Sequence, residues 1–255
     1  MRFTCAARTD VGVVRSGNED SYLMGTDRGL FIVADGMGGH AAGEVASEMA
    51  TQIIADQFRP VRGMSDEELM AQLIGAVRAA NDAIFRRTLA EHDKRGMGTT
   101  STVLGLLPRR YVIAQVGDSR AYMLRGGVLT QVTKDHSYVQ EQVDAGRLTP
   151  EEARVHPYAN VITRCVGSSS DVVPDLYFGT LEPGDLLLLA SDGLTGMLDD
   201  EDVRQILLGD QELERMIDGL IAGANHRGGL DNVTTILVRI DEITPPTGEM
   251  PSVRA

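Results

Sequence analysis

Strand patterns in this chain arrive in uninterrupted runs and helical patterns arrive in pairs, and that order limits the fold more than any other property of the sequence. Strand patterns at about 5–10, 21–24 and 30–34 come first. Two helical patterns follow, at about 41–58 and 66–92. The second opens on Ser65-x-x-Glu68, a capping box, and carries Leu69, Leu73, Val77, Ala80 and Ile84 at helical spacing. Strand patterns return at about 99–107, 111–116, 121–125 and 128–133, with Arg125-Gly126-Gly127 as a hairpin turn. From 134 to 160 the sequence is polar and irregular, with one short helix signalled by Thr149-Pro150-Glu151-Glu152, and reads as an insertion or lid. Strands resume at about 161–166, 172–178 and 185–190, two helices start near Asp200 and Gln211, and a last strand covers 233–240. A parallel α/β sheet needs strands and helices in strict alternation. This order therefore predicts an α+β chain of largely antiparallel sheets with helices packed on their outer faces.

Composition sets the remaining bounds. With 255 residues, 42% of them hydrophobic, the chain can bury one large core, expected over 1–243. From Thr244 on, Pro245, Pro246, Gly248 and Pro251 make 244–255 read as a flexible tail. The 24 Lys and Arg against 37 Asp and Glu give a formal charge of −13, which argues against nucleic-acid or anionic-membrane partners, since both require a basic face. Cys5 and Cys165 make neither a disulfide framework nor a zinc site and fit a reducing compartment. No signal-like apolar core and no long apolar run occur, so a cytoplasmic monomer is expected. Cys165, inside a strand pattern, reads as buried, and His136 and His156 read as surface residues of the lid.

The chemistry is carried by acids at the rims of apolar strands. Leu30-Phe31-Ile32-Val33-Ala34 runs into Asp35-Gly36, and Leu186-Leu187-Leu188-Leu189-Ala190-Ser191 runs into Asp192-Gly193. The strand pattern at 111–116 ends in Gly117-Asp118-Ser119, and Asp231-Asn232 directly precedes the last strand. One Asp-Gly after a strand is an ordinary turn. Repetition of the placement, in a chain without clustered His or Cys, points to a shared site. Two unit charges about 4 Å apart repel by roughly 4 kcal/mol at an effective dielectric of about 20, so converging carboxylates need a counter-charge. All-oxygen donors suit hard divalent ions such as Mg²⁺ or Mn²⁺. A pair of such ions roughly 3.5–4 Å apart lowers the pKa of a water and clamps an in-line displacement at phosphorus, which makes phosphate-ester hydrolysis the leading chemistry. Arg15, in Arg15-Ser16-Gly17-Asn18-Glu19-Asp20, offers a planar fork for the phosphate oxygens.

In order along the chain stand Arg15-x-x-Asn18-Glu19-Asp20, Val33-Ala34-Asp35-Gly36-Met37-Gly38-Gly39-His40, Met97-Gly98-Thr99-Thr100, Val116-Gly117-Asp118-Ser119-Arg120-Ala121, Ser191-Asp192-Gly193-Leu194 and Asp231-Asn232-x-Thr234. With these motifs in register, the chain resembles the metal-dependent protein phosphatases (PPM, or protein phosphatase type 2C) and their bacterial serine/threonine members. The resemblance implies a four-layer α+β sandwich, two antiparallel β-sheets flanked by helix pairs, with two Mn²⁺ or Mg²⁺ ions in a cleft at one end. By position it makes Asp35 the carboxylate shared by both ions, Gly36 a backbone ligand of the second, and Asp192 and Asp231 ligands of the first. Asp118, helped by Asp192, matches the site of a third ion. Glu19 and Asp20 match an acidic pair, one a direct ligand and the other a partner of ion-bound water, with the assignment between them open. Arg15 matches the phosphate-binding arginine. Where eukaryotic relatives carry a histidine after the Asp-Gly pair, Met37 stands here; His40 either protonates the leaving oxygen, caps the following helix or binds ion-bound water. The segment 134–160 occupies the place of the family's flap. The implied activity is hydrolysis of phosphoserine and phosphothreonine in proteins by direct attack of ion-activated water, with phosphoproteins and serine/threonine kinases as partners. An aspartyl-phosphate mechanism lacks its usual second Asp two residues on, and a catalytically inactive phosphatase-like sensor or binding domain is the alternative from another class.

Overall fold

The computed structural model describes residues 1–38, 42–61, 63–209 and 212–243. Its strands are β1 (Arg2–Asp10), β2 (Asp20–Gly25), β3 (Leu30–Met37), β4 (Gly98–Thr99), β5 (Ser101–Leu107), β6 (Arg110–Val116), β7 (Arg120–Arg125), β8 (Val128–Gln131), β9 (Asp175–Thr180), β10 (Leu186–Ala190) and β11 (Val233–Glu242). Helices α1 (Ala42–Gln57) and α2 (Asp66–Ala90) lie between β3 and β4. Helices α3 (Tyr138–Asp144) and α4 (Pro150–Arg154) lie between β8 and β9, and α5 (Asp192–Thr195), α6 (Asp200–Gly209) and α7 (Leu213–His226) between β10 and β11.

Two sheets result, and their strand pairings are antiparallel. One runs β1-β11-β10-β7-β8, the other β2-β3-β5-β6-β9 with β4 added to β3. The period-two alternation of a strand decides how they stack. In β3, Leu30 and Ile32 pack with α1 and α2 residues such as Ile54, Leu69 and Leu73, whereas Phe31 and Val33 face Leu187, Leu189, Ile236 and Val238 of the other sheet. In β10, Leu186 and Leu188 meet Leu213, Ile217 and Leu220 of α7, while Leu187 and Leu189 turn inward. Strands covered on both faces must be apolar throughout, which is why these segments read as continuous hydrophobic runs. The layers are a helix pair, a sheet, a sheet and a helix pair, as the sequence predicts.

The local signals at helix starts are used as written. Ser65 and Glu68 close the capping box of α2, and Thr149 and Glu152 close that of α4 with Pro150 behind the cap. Three expectations are corrected. The segment 161–166 forms no strand; it makes only single bridges, Ser137 with Ile162 and Thr99 with Val166, because its residues pair with two separate parts of the chain. The polar segment 134–160 holds two helices where one was expected, α3 being started by the Ser137 hydroxyl, which accepts the Gln140 N–H. Cys165 is half-buried and free, since it lies in a loop and not in a strand. Among the described residues no helix is long and apolar enough to cross a membrane. The expected tail 244–255 lies outside the described residues.

Candidate active site

The acids predicted from the strand rims meet at one end of the sandwich because both sheets end there. Asp20 opens β2 and is the cross-strand partner of Asp35 in β3. Backbone clamps fix Asp35. Its N–H donates to Thr100 Oγ1 at 2.8 Å, and its carbonyl accepts both the Thr100 N–H at 2.8 Å and the Thr99 hydroxyl at 2.9 Å. Thr100 Oγ1 is also 2.7 Å from Ser119 Oγ, which ties β3 to the turn carrying Asp118. Buried Gln115 holds that turn from behind, donating to the carbonyls of Gly117 at 3.1 Å and Ser119 at 2.6 Å.

The other sheet contributes through Ser191 and Asn232. Ser191 Oγ donates to Asp20 Oδ2 at 2.8 Å and accepts the Thr234 N–H at 2.9 Å, so the start of α5 and Asp192 are locked to β2 and β11 at once. Asn232 spreads its amide across the β1–β2 loop: Nδ2 donates to the carbonyls of Val11 and Gly17, each at 2.9 Å, and Oδ1 accepts the Glu19 N–H at 2.8 Å. That loop presents Arg15, whose Nη2 donates to Asp231 Oδ2 at 2.7 Å while remaining half-exposed. Ser191, Asn232, Thr100 and Gln115 are site-building residues to which sequence reasoning gave no role. All but Gln115 stand inside the quoted motifs, which is the signal that would have found them.

Electrostatics shows that the acids share one environment. Burial pushes the Asp35 carboxyl well above the ordinary range, with Asp20, Asp192 and Asp118 raising it further. Asp192 is also raised by burial, and its closeness to Asp35 favours the protonated form of Asp35. Burial likewise raises Asp118, aided by Asp192 and Asp135, and raises Asp20 to about 7. Glu19 is raised by burial but opposed by Arg15; its carboxylate accepts the Gly43 N–H at the start of α1. Asp20 Oδ1, Asp118 Oδ1 and Asp192 Oδ1 are buried with no hydrogen-bond partner. Buried carboxylate oxygens without donors are costly unless a cation meets them.

Among the described residues, no group of three or more His, Cys, Asp or Glu side chains is gathered at ligand spacing as it stands. The acids relieve their mutual repulsion by leaning on Arg15 and Ser191. The donor set nevertheless fits hard divalent cations: it is all oxygen, it has unpartnered buried atoms, and burial disfavours the charged forms of Asp20, Asp35, Asp118 and Asp192. Thus the structure brings together Arg15, Glu19, Asp20, Asp35, Gly36, Asp118, Asp192 and Asp231. His40 lies outside the described residues.

Against this geometry, the family model for Protein phosphatase 2C matches residues 14–232. The chain belongs to that family. Among protein phosphatase 2C relatives, Protein phosphatase PhpP of Streptococcus pneumoniae is 41% identical over 240 residues, covering 92% of this chain and 96% of PhpP. The crystal structure of the Mycobacterium tuberculosis serine/threonine phosphatase PstP/Ppp superposes with a TM-score of 0.88 at 42% identity, covering 94% of this chain and 99% of that one. The catalytic domain of the serine/threonine protein phosphatase PstP, solved in complex with 2 manganese ions, gives a TM-score of 0.84 at 41% identity, with coverage of 94% and 99%.

The raised acids make a prediction for the cation-free chain. A carboxyl whose folded pKa is raised binds its proton more tightly folded than unfolded. Its contribution to stability is therefore greatest below the ordinary value of 3.8 and falls as pH rises through the folded value, about 7 for Asp20. Asp20→Asn should raise the melting temperature of chelator-treated protein at pH 8 and much less at pH 5. Equal gains at the two pH values would show that Asp20 does not titrate in this way.

Proposed function

We propose that this chain is a Mn²⁺- or Mg²⁺-dependent protein phosphatase that hydrolyses phosphoserine and phosphothreonine in proteins. The observation that carries the reading is the convergence of Asp20, Asp35, Asp118, Asp192 and Asp231 at one end of the sandwich, with three orphaned buried oxygens, beside an exposed arginine fork. Asp35, Asp192, Asp231 and the Gly36 carbonyl would hold the two core cations, and Asp118 with Asp192 a third. Asp20 belongs with this cluster through Ser191 and Asp35, while Glu19 is turned to the start of α1. When bound, the cation pair supplies a water of lowered pKa as the nucleophile for direct attack on phosphorus.

The chain's own residues bind and orient the ester. Arg15 exchanges its Asp231 partner for the non-bridging phosphate oxygens, which a guanidinium accepts two at a time. Asn232 and Ser191 keep the loop and strand ends from shifting as that exchange occurs. His40 is assigned the proton for the leaving oxygen. The phosphatase domain is taken as 1–243, with 134–160 as its flap and 244–255 as its tail. Phosphoproteins are the substrates, the serine/threonine kinases that make them are the partners, and the protein acts as a cytoplasmic monomer.

The test is hydrolysis of a phosphothreonine peptide by purified protein with Mn²⁺, with Mg²⁺ and with chelator. Turnover only with a cation supports the reading; a folded chain silent under all three conditions would instead be a binding or sensor domain. Arg15→Ala should raise KM by about 10–100-fold with kcat less affected, the size expected for losing charged hydrogen bonds made in both ground and transition states. A collapsed kcat at unchanged KM would place Arg15 in transition-state stabilisation alone.

A further inference from the structure

His136 stands at the root of the flap segment, yet it is only 7% exposed. It grips Gly117 twice. Its Nδ1 accepts the Gly117 N–H at 3.0 Å, and its own backbone N–H donates to the Gly117 carbonyl at 2.9 Å. The His136 carbonyl accepts the N–H of Thr163, where the chain returns from the flap, at 2.8 Å. On the far side of the ring, Nε2 is 3.2 Å from Asp175 Oδ2 on β9, and Asp175 is paired with Arg164 at 2.6 Å. Arg164 Nη1 also stands 3.2 Å from Nε2. Because Gly117 N–H is a donor, Nδ1 must be the bare nitrogen; the ring proton then belongs on Nε2, where Asp175 accepts it.

Gly117 is itself confined. Its φ is +104°, and a Cβ there would lie 2.5 Å from Thr100 Cγ2, so only glycine fits and the peptide has little freedom to turn. Asp118 follows directly, 6% exposed, with its Oδ1 unpartnered. The aim of this carboxylate is therefore set by the backbone of the turn.

We propose that His136 is a positioning residue for the acid cluster: through Nδ1 it fixes Gly117 and thereby directs Asp118 into the cleft, while joining the two roots of the flap. This deepens the phosphatase reading and rests on it for the role of Asp118. Partners that orient a ligand without touching the ion are commonly worth about 10–100-fold in metal affinity or activity.

Two near-isosteres divide the ring into halves. Asn carries a polar atom where imidazole has Nδ1 and can still accept from Gly117, but cannot reach Asp175. Gln reaches toward Asp175 and leaves the Gly117 N–H without its acceptor. In cation-free protein, His136→Asn should keep amide-exchange protection at Gly117 and Asp118, and His136→Gln should lose it. With p-nitrophenyl phosphate, His136→Gln should need about 10–100-fold more Mn²⁺ for half-maximal turnover, and His136→Asn should rescue most of that loss. Nitrogen NMR of the wild-type imidazole should show Nε2–H and a bare Nδ1, a readout that stands even if His136→Gln does not fold. An Nδ1–H ring, or equal loss of protection in both variants, would overturn the proposal. Exchange at Gly117 is read without turnover, so its outcome is separable from a failure of the wild type to act as a phosphatase.

Discussion

Asp35→Asn is expected to lower kcat on a phosphothreonine peptide by about 10²–10³-fold, the scale of removing one preorganised charge from a reacting centre, while the cation-free chain becomes more stable. The two effects have one cause. Asp35 is the cross-strand neighbour of Asp20, hydrogen-bonds to Asp192 and feels Asp118. Without cations, burial and the neighbouring acids make ionising Asp35 costly, and neutral Asn removes that cost while preserving the backbone bonds to Thr99 and Thr100. In the proposed site the same charge would be shared between the cations. Melting temperature in chelator and kcat in Mn²⁺ should therefore move in opposite directions. Activity above about a tenth of wild type would contradict the shared-ligand role, given the usual scale of such losses.

Gly36→Ala should cost stability and activity together, by about 3 kcal/mol or more for the fold, at or beyond the upper end of ordinary overpacking because the obstruction is backbone. Gly36 lies at the crossing of β3, α1 and the end of the β1–β2 loop. Its N–H donates to the Glu19 carbonyl at 3.0 Å. A Cβ there would overlap the Gly43 carbonyl oxygen of α1 and lie 2.5 Å from the Glu19 carbonyl oxygen. Neither neighbour has a flexible end that can yield. The added methyl must drive β3 from α1 and take Asp35 with it. Gly75→Ala is the internal control. Gly75 sits within α2 with nothing within 4 Å of a new Cβ, so this change should stabilise the fold by roughly 0.5–1 kcal/mol through helix propensity. Urea unfolding checks both, and a loss for Gly36→Ala no larger than about 1 kcal/mol would refute the close-approach account.

The layered fold was legible because strands buried on both faces, such as β3 and β10, leave unbroken apolar runs, and because α2 and α4 carry their caps in sequence. Asp35, Asp118, Asp192 and Asp231 were legible because each adjoins a strand run, whereas Glu19 and Asp20 drew their role from the family resemblance alone. What holds the acids was not. Asn232 reaches the Glu19 N–H across 213 positions, and Ser191 reaches Asp20 across 171; such bonds have no local pattern. His136 sits in a polar stretch that looks like surface, yet it is buried by Gly117 and Asp175, 19 and 39 positions away. The segment 161–166 erred the other way: Val161, Ile162 and Val166 suggest a strand, but the backbone bonds of this segment are divided between Ser137 and Thr99.

The place of β11 between β1 and β10 has a consequence for biosynthesis. Leaving a ribosome at about 5–20 residues per second, β1 would wait roughly 10–40 s for the only strand it pairs with among the described residues. Asp231 and Asn232 emerge just ahead of β11, so neither the first sheet nor the clamp on the Arg15 loop can close before nearly the whole described chain has been translated. A nascent polypeptide would remain incapable of stripping phosphate from its surroundings until that late strand docks.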